Sequence, residues 1–483
     1  MLNLALNIFE LFLNYVWIAN LFFIVVIVLM EKRNPLYTIL WIFILTIFPY
    51  VGFFVYLFLG MSFTKERVAN KFYKRNKIRL DRDISKSEKE ELKRWKGLLT
   101  YLHSTSNNSL NMNNTIDIYN EGIDFFDSLK EEIKNAKISI NMEYFIFKFD
   151  NIGKEIAQLL VEKAKQGIKI NLMIDGVNRA NNKLIKFFKN SGVEINFFFR
   201  THIPLFNVRI NYRDHRKITI IDSKIAFIGG MNIGDEYLGN SDMGYWRDTS
   251  IKIIGDTVID LEREFHFILG VTKKQEIKYD KTKYEYLEFL KEELDIKEDK
   301  NLKNIQVVSS GPNYEFRTLR DNFLKLIQTA NTSILIQTPY FVPDDSLLDA
   351  LKTAIMSGID VKIMIPNRAD HLFIYWVNQF YVGELLKIGA SVYRYEKGFL
   401  HSKVIIVDNE IVSIGTCNFD YRSLYLNFEI NVNVYEKSTA VEFKNQFYRD
   451  INDSKKLDFE DFEQRSIFIR IKESILRLLS PVL

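Results

Sequence analysis

Tyr212 to Asp222 reads Y-R-D-H-R-K-I-T-I-I-D and holds His215, Lys217 and Asp222 in the spacing H-x-K-x4-D. Phe399 to Asp408, F-L-H-S-K-V-I-I-V-D, sets His401, Lys403 and Asp408 in the same spacing. Asn232 and Asn418 follow their histidines at one matched offset, after small residues (Gly229–Gly230; Gly415–Thr416). A single copy could be a core strand with a stray His at its mouth; two copies with matched asparagines are hard to reach by chance. The residue types suit a phosphodiester. Lys217 and Lys403 place two fixed cations on an anionic centre. Asn232 and Asn418 can donate to its non-bridging oxygens as phosphorus becomes five-coordinate. One imidazole attacks phosphorus and the other protonates the leaving alkoxide, roles for a group that titrates near working pH. A covalent phosphohistidine divides the displacement into two easier steps, and the second His then acts as base on the incoming hydroxyl. Asp222 and Asp408 complete the catalytic motif. Each closes a strand, so each is expected to fix the loop beyond by hydrogen bonding rather than to touch substrate. No metal or cofactor is expected: the lysine pair does a cation's work, and no H-x-x-x-H, acidic cluster or Walker loop is present.

Strands must carry these side chains. On an extended chain i and i+2 share a face, so His215 and Lys217 point into one pocket. Ile218, Ile220 and Ile221 then read as buried strand. From Thr115 the pattern alternates: strand Thr115–Tyr119, helix Gly122–Asn135, strand Ile138–Phe147, helix Gly153–Gln166 stopped at Gly167, strand Ile168–Ile174. The order recurs as strand Ile305–Ser309, helix Asn313–Thr329, strand Ser333–Gln337, helix Asp345–Ser357 stopped at Gly358, strand Ile359–Ile365. Tyr340 matches Tyr144, Gly358 matches Gly167 and His401 matches His215, at offsets that shrink gradually as loop lengths change. A repeated α/β half implies two sheets with helices packed outside. The halves are expected over 113–272 and 304–454, joined by a charged linker at 273–303.

The ends differ from this body. Leu11–Met30 and Leu36–Gly60 are apolar runs separated by Glu-Lys-Arg-Asn-Pro. Each is long enough for a hydrocarbon core about 30 Å thick, which needs roughly 20 residues. Residues 1–62 are therefore expected as two transmembrane helices, without the basic start or small-x-small site of a secretory signal. The basic run Lys65, Arg67, Lys71, Lys74, Arg75, Lys77, Arg79 puts the following chain in the cytoplasm. Lys32 and Arg33 in the turn argue the other way, which leaves a re-entrant first segment open. Residues 63–112 read as a polar tether carrying His103. The tail 455–483 places Ile467, Ile471, Ile475 and Leu478 at helical spacing with Arg470, Lys472 and Arg477 between them; such a helix either lies in a membrane interface or docks on the core. Over 483 residues, 65 Lys and Arg against 61 Asp and Glu give +4, which does not suggest a nucleic-acid protein. Cys417 is alone, so no internal disulfide forms, and it reads as a packing residue.

The duplicated motif resembles the phospholipase D superfamily. The phrases I-G-G-M-N-I-G-D-E-Y, Y-W-R-D, T-P-Y-F-V-P-D and R-S-L-Y-L-N-F-E resemble the bacterial cardiolipin synthases within it, over nearly the whole chain. The resemblance implies an α/β fold: two phospholipase D-like α/β/α sandwich halves related by a pseudo-two-fold, behind an N-terminal transmembrane helical hairpin, with one shared site. It implies His215 as nucleophile and His401 as acid/base. Acids at the offsets of Asp248 after His215 and Glu429 after His401 orient the imidazoles in that family. The implied activity is a membrane phosphatidyltransferase that makes cardiolipin from two phosphatidylglycerols and releases glycerol, with both lipids as its partners and no nucleic acid. The implied location is the cell membrane, multi-pass, with the catalytic part facing the cytoplasm. Water, phosphatidylethanolamine or another polyol as acceptor, a membrane-tethered nuclease and a phospholipid-binding protein stay open. Two departures stand out. F-H-F-I-L-G at 265–270 replaces an aromatic-acidic dipeptide, and Asp214 stands where relatives often carry Asn, which would put an acid beside the phosphate pocket if it pointed inward. His202, His266 and His371 read as structural or surface histidines.

Overall fold

The computed structural model describes residues 2–30, 35–56, 90–106, 108–177, 182–199, 212–274, 302–368 and 370–482. The basic run from Lys65 to Arg79, His202 and linker residues 275–301 lie outside these. The chain divides into two units, one of residues 1–76 with 201–211 and one of 77–200 with 212–483.

In the first unit, α1 covers Leu2–Met30, α2 Pro35–Ile47 and α3 Pro49–Val55. The second apolar run is thus two helices, not one. Pro49 has no N–H to give Leu45, whose carbonyl is left without its helical partner. Asn20 of α1 supplies the missing donor: its Nδ2 bonds Leu45 O at 3.1 Å and Pro49 O at 2.9 Å. Ile27, Leu45 and Tyr56 pack with Phe23, Ile24 and Trp41 behind this contact. The outer faces carry exposed Trp17, Leu21, Phe22, Ile39, Leu40 and Phe43. Among the described residues no helix is long and apolar enough to cross a membrane.

The second unit is mixed α/β, with two sheet-containing halves. The first sheet has seven strands in the order Asn114–Tyr119, Ser250–Gly255, Ile225–Gly229, Lys217–Ile221, Ser139–Tyr144, Lys169–Asp175, Glu194–Phe198. The second has eight, in the order Ser454–Lys456, Ser391–Tyr395, Asp360–Pro366, Ser333–Gln337, Val404–Val407, Ile411–Gly415, Glu429–Val434, Ile305–Ser310. Each motif strand lies inside its sheet between antiparallel neighbours, and every residue of Lys217–Ile221 and Val404–Val407 is buried. That position requires the continuous apolar run both motifs show. Helices starting at Asn151 and Asp345 are N-capped by Asp150 and Asp344 and stopped by Gly167 and Gly358, both at positive φ.

Registers define which residues correspond. Glu143 lies opposite Ile218, and Gln337 opposite Val404, each the third residue after its motif His. Thr338, not Tyr340, therefore matches Tyr144, and the tyrosine pairing expected from the sequence is two residues out of register. The tether expected over 63–112 also departs from expectation where it is described. Leu92, Trp95, Leu98, Leu99 and Leu102 are buried in the core of the second half, with Leu319, Phe323 and Leu326. A stretch rich in charge still folds onto the body because its apolar residues recur at helical spacing.

Two short pairings join the halves. Gly398–Leu400, just before His401, runs parallel to Tyr245–Arg247, just before Asp248. Asp214, just before His215, bridges Phe428, just before Glu429.

Candidate active site

These junctions bring the histidines to the acids. The His215 N–H donates to Phe428 O at 3.0 Å, and the His401 N–H to Arg247 O at 2.7 Å. Each imidazole then meets the carboxylate of the opposite half. His215 Nδ1 lies 2.9 and 3.0 Å from the two Glu429 carboxylate oxygens, and His401 Nδ1 lies 2.6 Å from Asp248 Oδ2. The two acids expected as orienting groups are both beside an imidazole, but crosswise: the carboxylate following His215 in sequence holds His401, and the reverse. With Nδ1–H donated to the acid, each Nε2 carries a lone pair. Glu429 also accepts from Thr416 Oγ1 at 2.6 Å, and Asp248 from the Thr249 N–H at 2.7 Å.

Lys217 Nζ donates to His215 O at 2.5 Å, and Lys403 Nζ donates to His401 O. Lys403 Nζ is also 3.9 Å from Asp248 Oδ2. Burial pushes Lys217 down to about 7 and Lys403 down to about 8, against the pull of Glu429 and Asp248. Burial likewise lowers His215 to about 4, with Glu429 opposing and Lys217 and Lys403 adding to the shift. His401 falls to about 3 through burial and Lys403, with Asp248 opposing and Lys217 adding. Each ammonium thus acts on the imidazole of the other half, and both motifs share one electrostatic site. Burial would raise the Glu429 carboxyl, but His215 and Lys217 hold it below its ordinary value.

Asn232 accepts from the Ile146 N–H at 3.1 Å and donates to Tyr237 OH at 3.2 Å. Asn418 lies beside Asp420, to which it hydrogen-bonds, and its Oδ1 is buried with no protein partner. The sequence reading missed the rings around the imidazoles. Phe145 stands 4.9 Å from His215, centroid to centroid, and Trp246 5.2 Å from His401. Tyr237 OH is 3.5 Å from His401 Nδ1. Tyr237 ends the phrase I-G-G-M-N-I-G-D-E-Y and Trp246 lies in Y-W-R-D, so both rings sit within phrases that carry the family resemblance.

Asp222 and Asp408, grouped with the catalytic residues by the motif, act elsewhere. Asp222 accepts from the Lys137, Ile138 and Ser139 N–H groups at 2.7–2.9 Å. Asp408 does the same for Asn331, Thr332 and Ser333 at 2.7–2.8 Å and pairs with Arg94. Both sit at positive φ at the strand end away from the histidines, where they gather the donors that open a neighbouring strand. Asp408→Ala is expected to cost about 3 kcal/mol by orphaning these backbone donors, while Arg94 keeps Glu410. Thermal unfolding should move well down while the folded fraction keeps its turnover; a stable but inactive Asp408→Ala would return this residue to the chemistry.

Asp214 turns into the core beside Glu143 and Arg216, and burial pushes both carboxyls up. Arg216 pairs with Glu264, which Tyr314 OH of the second half also reaches at 2.8 Å. Cys417 is buried, and burial pushes its thiol up, in keeping with packing. His266 lies 3.6 Å from Glu262 and His371 is exposed. Among the described residues no three His, Cys, Asp or Glu group to hold a metal.

Residues 129–268 and 323–451 match the family described as cardiolipin synthase, PLD-like domain, and residues 18–60 match a phospholipase D-nuclease N-terminal family. The chain belongs to the cardiolipin synthase family of the phospholipase D superfamily. A cardiolipin synthase of Clostridium perfringens (strain ATCC 13124) is 41% identical over 98% of this chain and 100% of its own length. The major cardiolipin synthase of Bacillus subtilis is 37% identical over 99% of this chain and 100% of its own. The crystal structure of phosphatidylserine synthase from Haemophilus influenzae shares the fold, with a TM-score of 0.60 at 14% identity, over 80% of this chain and 99% of that one. Membership of the cardiolipin synthase family makes the chain a phosphatidyltransferase.

Proposed function

We propose that this chain joins two phosphatidylglycerols into cardiolipin and glycerol by two displacements at one phosphorus. The observation that carries the reading is the crossed pair of imidazole–carboxylate contacts around two buried ammonium groups. His215 Nε2 attacks the first lipid's phosphorus while His401 gives its proton to the departing glycerol oxygen. The P–O bond breaks as the P–N bond forms, and Glu429 stabilises the charge gathered on the His215 ring. His401, now neutral, takes the proton from a head-group hydroxyl of the second lipid. That oxygen displaces His215, and cardiolipin leaves with both histidines restored. Lys217 and Lys403 hold the non-bridging oxygens throughout, beside Asn232 and Asn418. The proton for the first step arrives with the substrate, because an anion in the pocket opposes the burial that keeps His401 neutral.

The halves are read as α/β/α sandwiches about a pseudo-two-fold. The N-terminal helices are read as a membrane hairpin, multi-pass, with the catalytic unit on the cytoplasmic side; exposed Trp17, Leu21, Phe22 and Phe43 support the membrane setting. Confining both lipids to one leaflet raises the acceptor's local concentration over water's competition. Purified enzyme given labelled phosphatidylglycerol should release glycerol and cardiolipin in equal amounts; phosphatidic acid as the sole lipid product would make the enzyme a hydrolase.

Binding of the anion should depend on pH. Burial lowers Lys217 and Lys403, and a bound phosphodiester opposes that shift. Affinity is then fullest below pH 7, where both are mostly charged, and falls as pH rises through these values because binding must bring protons with it. Titration with glycerophosphoglycerol should show a loss of about tenfold or more between pH 7 and pH 8.5. A flat profile would mean that the ammonium groups do not meet the phosphate.

A further inference from the structure

The C-terminal helix Ile467–Leu476 is docked the wrong way round for a protein in water. Its inward face centres on Glu473, which is buried and bound by both Arg465 Nη atoms at 2.6 and 3.0 Å. Its outward face carries Ile467, Phe468, Ile471 and Ile475, continued by Leu478, with exposures from 49% at Ile471 to 78% at Phe468. These five fall on one side of a helix. Buried charge with exposed apolar side chains reverses the usual partition, and a contiguous apolar stripe marks a surface that something covers.

The surrounding charges say what. Arg470, Lys472 and Arg477 are exposed along the stripe, while Glu473, the only acid in the helix, is taken up by Arg465. Lys472 Nζ lies 4.2 Å over Trp376 and the Arg477 guanidinium 4.7 Å over Phe380, so both stems follow the surface to put their charge at its edge. An apolar stripe with a cationic fringe suits the boundary between acyl chains and anionic head groups. A second copy would bring the same cations against each other across a two-fold.

We propose that this face docks the catalytic unit onto a bilayer containing anionic phospholipid, with Phe468, Ile471 and Ile475 among the acyl chains and Arg470, Lys472 and Arg477 at the phosphates. The proposal rests on the lipid reading above only for its purpose, not for its geometry. The helix beneath, Leu372–Leu386, links the surface to the site. Asn378 accepts from the Phe341 N–H at 2.8 Å and donates to Pro339 O at 2.9 Å, and Asp370, just before that helix, bonds Tyr340. Phe341 in turn pairs with Phe419, next to Asn418. Docking thus bears on the segment Pro339–Phe341, which packs beside Asn418 through Phe419.

The test uses the full chain in vesicles of phosphatidylglycerol and phosphatidylcholine, with a fluorophore at Phe468→Cys, at Ile475→Cys or, as reference, at exposed Glu442→Cys. A quencher on the lipid acyl chains should dim the first two and spare the third, and aqueous iodide should do the opposite. Phe468→Glu/Ile475→Glu should lower transfer in vesicles roughly tenfold or more and leave turnover on detergent-dispersed phosphatidylglycerol unchanged. Iodide quenching at 468 and 475 as strong as at 442 would overturn the proposal, as would shielding from both quenchers together with a cross-linked dimer. Acyl-chain quenching at 468 and 475 in an enzyme that makes no cardiolipin would uphold the docking face and sink the reaction assigned above.

Discussion

Alanine in place of His215 is expected to remove transfer almost entirely, by roughly 10^4-fold or more, because no other group can form the covalent intermediate. His401→Ala should be nearly as damaging with phosphatidylglycerol, whose glycerol must leave protonated. The two variants part on a phosphatidyl ester with a nitrophenol leaving group, which departs without a proton. There His401→Ala should accumulate acid-labile phosphatidyl-enzyme, since the second step still lacks its base, while His215→Ala should accumulate none. Label trapped on His401 in the His215 variant would exchange the two roles. Burial and paired carboxylates alone treat the histidines alike, so this measurement makes the assignment.

Glu429→Gln should slow turnover roughly 10^4-fold, the scale on which losing an orienting carboxylate costs a catalytic imidazole. Two things go with it: the acceptor that fixes the Nδ1 proton, and the charge that balances the ring once phosphorus is bound. The crossed pairing predicts which step suffers. Glu429 touches His215, so intermediate formation from the nitrophenyl ester should stay slow in Glu429→Gln. Asp248 touches His401, so the same half-reaction in Asp248→Asn should run at close to the normal rate. If the acids served the histidine of their own half, the two variants would change places.

How much of this was legible in advance follows from the range of the interactions. The buried runs after Lys217 and Lys403, the Gly167 and Gly358 helix stops and the doubled order of strand and helix are written in neighbouring residues. Hydrogen bonds and apolar periodicity within a few positions decide them, so the chain alone declared two α/β halves, a phosphodiester chemistry and the residues to carry it. Asp222 and Asp408 bond backbone N–H groups, as a carboxylate closing a strand suggests, but the donors open a neighbouring strand far earlier in the chain, not the loop beyond.

What reads wrongly in one dimension is set by partners far apart in the chain. Tyr144 and Tyr340 look equivalent as letters, yet strand register makes Thr338 the counterpart. Nothing near Asn20 announces that its amide completes the backbone opened by Pro49. Trp95 and its neighbours look like a tether until the second core receives them. The tail's amphipathic spacing was plain, but which face turned inward depended on Arg465 waiting for Glu473. The crossing of Glu429 to His215 and Asp248 to His401 is the clearest case. Sequence offset measures distance along one half, whereas the meeting of an imidazole and a carboxylate is decided by the short pairings between the halves at Asp214–Phe428 and at Tyr245–Arg247 with Gly398–Leu400.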